Sequence, residues 1–104
     1  MPEMSDAMEH EKMNINSYIF QYLDSITAAE LQHKIDAGES LVHELRPYAG
    51  MVRLAKGFGT VQVDGDNLLL DLYRERRDKA EILLANRRWY ERQIDELQIF
   101  VNAL

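Results

Sequence analysis

LLDLYRERRDKAEILLANRRWYERQIDELQIFVNAL, residues 69–104, is the stretch whose reading decides the fold. Leu69, Tyr73, Arg76, Ala80, Leu83, Arg87, Tyr90, Ile94, Leu97, Val101 and Leu104 follow one another in steps of four and three. Such steps average about 3.5 residues, the repeat of a coiled-coil seam. The spacing therefore predicts a single long amphipathic helix over about 69–104 that wants a partner along its length. Ile94 and Val101 fall at one seam position, Leu97 and Leu104 at the other. A β-branched residue alternating with leucine favours two strands, so the expectation is a homodimer through Leu83, Arg87, Tyr90, Ile94, Leu97, Val101 and Leu104. Ile82, Ala85, Trp89 and Ile99 form a second ridge. A helix apolar on two sides packs against two things, here the chain's own front helices and a second copy; the alternative is that both sides belong to one monomeric bundle.

Upstream, Ile15, Ile19, Tyr22 (with Leu23) and Ile26 recur at helical spacing and predict a helix over about 14–24. Thr27-Ala-Ala-Glu30 has the form of a capping box that opens a second helix. Gly38 is placed to close it. Leu41, Val42 and Leu45 fit a short helical turn. Pro47 then begins a third short helix running to Lys56, with Tyr48, Met51, Val52 and Ala55 as its packed face. Gly57-Phe58-Gly59 breaks that helix. Thr60-Val61-Gln62-Val63 alternates and is β-branched, which predicts a strand, and Asp64-Gly65-Asp66-Asn67 reads as a turn. Leu68 to Tyr73 fits either a returning strand or the first turns of the long helix. The hairpin is preferred, partly overlapping the helix start. The expected fold is thus mainly α with a small β-hairpin: two or three short helices, the hairpin, then a long amphipathic C-terminal helix. Residues 1–12 read as a loosely ordered tail and 13–104 as one helical domain.

A chain of 104 residues is one domain at most. With 46% hydrophobic and 29% charged residues it is too apolar for disorder. No run approaches the ~18 apolar residues of a membrane span. The first twelve residues are acidic and lack an apolar core, so no leader and no membrane association are expected. There is no cysteine, which excludes disulfides and thiolate metal sites and suits a cytoplasmic protein. The formal charge is −6. Residues 1–46 hold nine acids against three bases and residues 47–104 nine of each, so the excess lies in the front half. That argues against nucleic acid, whose phosphates need clustered Lys and Arg.

The motifs for chemistry are weak. Arg74, Arg77, Arg87 and Arg92 each have an acid four residues on (Asp78, Glu81, Glu91, Glu96), the pattern of a solvated helix face. Arg76 and Arg87 fall in the seam itself. His10, His33 and His43 lack metal-ligand spacing, Lys56-Gly-Phe-Gly-Thr60 lacks the phosphate-loop spacing, and Asp64 and Asp66 lack the distal glutamate of a calcium loop. No catalytic residue, cofactor or metal is expected. The residues point to a non-enzymatic, self-associating interaction module: an adaptor, small regulator or inhibitor of a larger assembly. Tyr18, Phe20 and Tyr22 cannot all face one core side, so Tyr18 or Phe20, with Asp24 and Glu30, is expected to meet a protein partner with a basic surface. The alternative is a winged-helix-like dimeric DNA-binding regulator, with residues 47–56 as recognition helix and 61–70 as wing.

Overall fold

A computed structural model describes residues 15–104 of the chain. The expectations for the tail over 1–12 and for His10 lie outside the described residues. Seven α-helices follow in order: α1 (Ile15–Ser25), α2 (Ala28–Asp36), α3 (Leu41–Leu45), α4 (Ala49–Lys56), α5 (Gly65–Glu75), α6 (Arg77–Ala85) and α7 (Arg87–Ala103). A 3-10 turn, Arg46–Tyr48, joins α3 to α4. Among the described residues there is no strand.

The front of the chain follows its local signals. In α1, Ile15, Ile19 and Leu23 are buried at steps of four. Thr27 caps α2: its hydroxyl accepts from the Glu30 N–H at 3.0 Å, and its own N–H donates to Glu30 Oε1 at 2.9 Å. The Thr27 amide, with the hydroxyl beside it, holds the Glu30 carboxyl below the usual range.

Two expectations fail, and both failures have physical reasons. The hairpin is absent because Asp64 is a helix cap. Its carboxylate accepts from the Asn67 N–H at 3.1 Å and from the Asn67 side chain at 2.8 Å. Leu68 and Leu72, four apart, are fully buried, so residues 68–73 follow a helical period. Residues 60–63 stay extended but lie on α7 with no strand beside them. The Val61 N–H donates to Asn102 Oδ1 at 3.0 Å and the Val63 N–H to Gln98 Oε1 at 2.6 Å. Both Asn102 Nδ2 and Gln98 Nε2 donate to the Val61 carbonyl. Asn16 of α1 brackets Asp64, accepting from its N–H at 3.0 Å and donating to its carbonyl at 2.8 Å. Side-chain amides thus take the place of a partner strand, and the backbone groups of residues 61 and 64 and the N–H of Val63 are satisfied.

The long C-terminal helix is also absent. It breaks at Arg76 (φ −140°, ψ 67°) and Asn86 (φ −118°, ψ 46°) into α5, α6 and α7. A straight helix over 36 residues would run about 54 Å, longer than the molecule's greatest extent of 43 Å. At Asn86 the side-chain amide donates to the Ile82 carbonyl at 2.9 Å and satisfies the end of α6, a local competition typical of Asn. At Arg76 the guanidinium is engaged by Asp24 at the end of α1. Lys79, almost fully buried, donates to the Asp24 carbonyl at 3.2 Å and so places a cation at the C-terminus of α1. These contacts hold the α5–α6 corner against the α1–α2 corner: α1 packs on α5 and α2 on α6.

The breaks let the seam residues turn inward. Ala80, Leu83, Tyr90, Leu97 and Val101 are buried in one core with Ile19, Leu23, Leu31, Leu68 and Leu72. α7 also packs on α3. There Gln93, itself buried, accepts from the Leu41 N–H at 2.7 Å, and the Trp89 indole donates to the Glu39 carbonyl at 3.2 Å. Gly65 is required by close approach, since a Cβ built on it lies 2.8 Å from Ile94 Cγ1. Beside it the Tyr90 hydroxyl donates to the Gly65 carbonyl at 2.5 Å.

Candidate interaction surface

α4 packs against α1 and α7 but does so through few residues. Of the face expected to pack, only Val52 is buried and Ala55 half-buried. Tyr48 is 50% exposed, Met51 58%, Leu54 83% and Phe58 104%. Positions 48, 51 and 54 are three apart and so are neighbours along the helix surface. Phe58 follows in a turn made by Gly57 (φ 74°) and Gly59 (φ 86°). Both glycines adopt a backbone region that side chains disfavour, which ends α4 abruptly and presents Phe58 to water. Burying a Leu, Met or Phe is worth about 1.5–3 kcal/mol, so the exposed run of Tyr48, Met51, Leu54 and Phe58 is a candidate interaction surface.

At the Tyr48 end this face meets a cleft of about 200 Å³ lined by Tyr18, Gln21, Tyr22, Ser25, Leu45 and Tyr48. The Tyr18 hydroxyl reaches Met51 Sδ at 3.9 Å, joining cleft and stripe. Burial pushes the Tyr18 phenol up, with Tyr48 adding to the shift. Burial, then the charge of Glu44, raises Tyr22.

Charge singles out the same region. From Arg46 to Val63 the chain carries Arg46, Arg53 and Lys56 and no acid. All other positions together hold nine bases against eighteen acids. Arg53 is exposed and sits one residue, about 100° of helix turn, from Leu54.

The residues expected to meet a basic partner are spread apart. Tyr18 lines the cleft, whereas Phe20 is half-buried against the core. Asp24 is paired with Arg76. Glu30 is exposed but serves the capping box. Elsewhere on α2 and α3, Lys34 bonds Glu44 at 2.6 Å with Glu39 at 3.8 Å. That hydrogen bond lowers the Glu44 carboxyl and raises the Lys34 amine.

Of the residues expected to make the homodimer, Leu83, Tyr90, Leu97 and Val101 lie in the chain's own core, and Ile94 and Leu104 are half-buried. Arg87 is exposed and pairs with Glu91 at 3.0 Å, as the i,i+4 spacing predicts. Arg77 stacks over the Tyr73 ring at 4.3 Å. The wing on which the DNA-binding alternative rested is the extended segment and the start of α5, so the winged topology does not form.

The signals missed in the sequence were Leu54 and Phe58, together with the acid-free run over residues 46–63. A count of charges by halves of the chain hides that run, because acids surround it.

The described residues form other depressions as well, one of them on α2 beside Ala29, Glu30, His33 and Lys34. Another, about 230 Å³, has Asp64, Asp66, Tyr90, Glu91 and Asp95 in its wall. A further one, about 250 Å³, has Leu70, Tyr73 and Leu84 at its edge. Among the described residues no group of three or more His, Cys, Asp or Glu is arranged to hold a metal ion, and no helix is long and apolar enough to cross a membrane. No protein-family model, no curated protein and no solved structure matches the chain.

Proposed function

We propose that the chain is a non-enzymatic, helical protein–protein interaction module, an adaptor or small regulator, that docks partners on α4 and the adjoining tyrosine cleft. The observation that carries this reading is the exposed row Tyr48, Met51, Leu54 and Phe58, which holds the two most exposed large apolar side chains of the described residues, Phe58 and Leu54; Leu70, Tyr73, Leu84 and Ile99 are also exposed but lie on other helices. Aromatic and Met residues are enriched at the cores of interfaces, and Met adapts its shape to what it meets. Self-association through the residue 83–104 seam forms no part of this proposal, since Leu83, Tyr90, Leu97 and Val101 of that seam are buried within the chain.

The test is affinity capture from the native host with wild type and with a Leu54→Asp, Phe58→Asp double variant. The variant is expected to melt at the wild-type temperature and to lose the captured partner. Capture of the same proteins by both would refute the surface.

A further inference from the structure

We propose that the α4 face accepts an acidic, amphipathic helical segment of a separate protein, with one apolar anchor seated in the tyrosine cleft. This inference rests on the interaction-module reading and adds the chemistry of the partner.

Shape supports a helix as occupant. From Tyr48, at the end of the 3-10 turn, through Met51 to Leu54 on α4 the row spans about 9 Å, and Phe58 extends it by roughly one more turn. A facing helix with apolar residues at i, i+3 or i+4, and i+7 covers the same length. The cleft of about 200 Å³ has Tyr18, Tyr22, Leu45 and Tyr48 as apolar walls and Gln21 and Ser25 as its polar lining. That is room for one large side chain at the end of the row.

Charge selects the sign. Arg46, Arg53 and Lys56 are the charges of residues 46–63, with no acid among them, in a chain of net charge −6. Acids flanking the apolar stripe of a partner helix meet these bases, which sets encounter rate and specificity, while the apolar row supplies affinity.

The same arithmetic disfavours the other occupants. A symmetric pair of copies joined through α4 would bring six bases together. Nucleic acid would meet three bases on a body that is otherwise strongly acidic, too few phosphate contacts against that repulsion. An anionic bilayer gains about 1 kcal/mol per base near its surface, against the same net negative charge.

The experiment uses the full chain and two fluorescein-labelled synthetic helices of about four turns. Both carry the same Leu and Phe stripe; one has Glu at the flanking positions, the other Lys. Fluorescence anisotropy is expected to show the Glu peptide binding at least about tenfold more tightly than the Lys peptide, a difference of about 1.4 kcal/mol. Added salt should narrow that gap. An Arg53→Glu, Lys56→Glu variant should reverse the preference, and Leu54→Ser should weaken both peptides. Amide NMR shifts should map to α4 and the cleft.

Equal binding of the two peptides, preference for Lys, or shifts confined to other helices would overturn the proposal. So would binding to phosphatidylserine vesicles or duplex DNA that is lost in the Leu54→Ser variant while the Glu peptide fails to bind. If host capture still depends on Leu54 and Phe58 when the charge preference fails, only the partner chemistry is wrong. If both fail, the interaction surface itself is refuted.

Discussion

α4 and α7 make an instructive pair, because each reads from sequence as an amphipathic helix in need of company. α7 finds it within the chain along its seam, while Ile99 of its second ridge stays exposed. The helix buries Tyr90, Gln93, Leu97 and Val101 and lends Gln98 and Asn102 to the backbone of residues 61 and 63. α4 buries only Val52 and leaves Met51 and Leu54 in water. A helical stripe therefore reports that a surface wants covering, while the covering element depends on where the chain turns. The seam over 69–104 suggested a second copy, yet two breaks fold it onto α1, α2 and α3. The face of residues 48–55 suggested a packed core helix, yet most of it is open.

The largest expected effect tests the buried side of this comparison. Leu97→Asp places a carboxylate at a fully buried position. It should cost at least the ~2–5 kcal/mol of a Leu→Ala change in a core, and the added buried charge should unfold a domain of ordinary stability. Circular dichroism melts would show loss of the cooperative transition. A folded, monodisperse Leu97→Asp protein would mean that α7 does not hold the core.

A smaller effect is expected at the joint between α5 and α7. Gly65→Ala drives a methyl group to within 2.8 Å of Ile94 Cγ1, an atom close to the backbone that yields little. Overpacking of this kind costs about 1–3 kcal/mol. Combining it with Ile94→Ala should recover part of the loss, and a double-mutant cycle by urea denaturation measures the coupling.

Gln98→Ala probes the amide ladder. It removes the acceptor of the Val63 N–H, while the Val61 carbonyl keeps its bond from Asn102. One buried donor left unpaired costs about 1–3 kcal/mol. Hydrogen exchange should quicken at Val63 and leave α1 and α2 protected. Uniform protection would show that the extended segment is held by something other than this ladder.

The Lys34–Glu44 pair yields a pH dependence whose sign follows from the shifts. The Lys34 hydrogen bond lowers Glu44, so its contribution is present above the ordinary glutamate value of about 4.3 and is lost as pH falls through the lowered one. Lys34 is raised by the same bond, so its share is present below the ordinary lysine value of about 10.4 and fades as pH rises through the raised one. Wild type should lose melting temperature below about pH 4.3, and Glu44→Gln should flatten part of that slope. An unchanged slope would remove the pair from the acid response.

The smallest effect belongs to the open side. Phe58→Ser should shift stability by no more than about 0.5 kcal/mol, since the ring has nothing to lose on the protein. A larger loss would show that Phe58 packs within the chain and would close the contrast between the two helices.

Much of the molecule is decided by interactions within a turn or two of chain, and these were legible in the sequence. Thr27 and Glu30 cap α2, Ile15, Ile19 and Leu23 line one face of α1, and Gly57 with Gly59 ends α4, because each involves neighbours at most a few residues apart. Asp64 read as part of a turn and residues 68–73 as either strand or helix, since an Asx side chain serves a turn and a helix cap equally well. The tertiary structure resolved both: Asn16, 48 residues away, and Gln98 and Asn102 took the hydrogen bonds that a second strand would have supplied. Partner choice is likewise non-local. The period of residues 69–104 is the same whether the stripe meets another chain or its own front half. Breaks at Arg76 and Asn86, held by Asp24 and by the Ile82 carbonyl, turned it inward. The open face of α4, like Leu70, Leu84 and Ile99 on the later helices, was left outside once that core was closed.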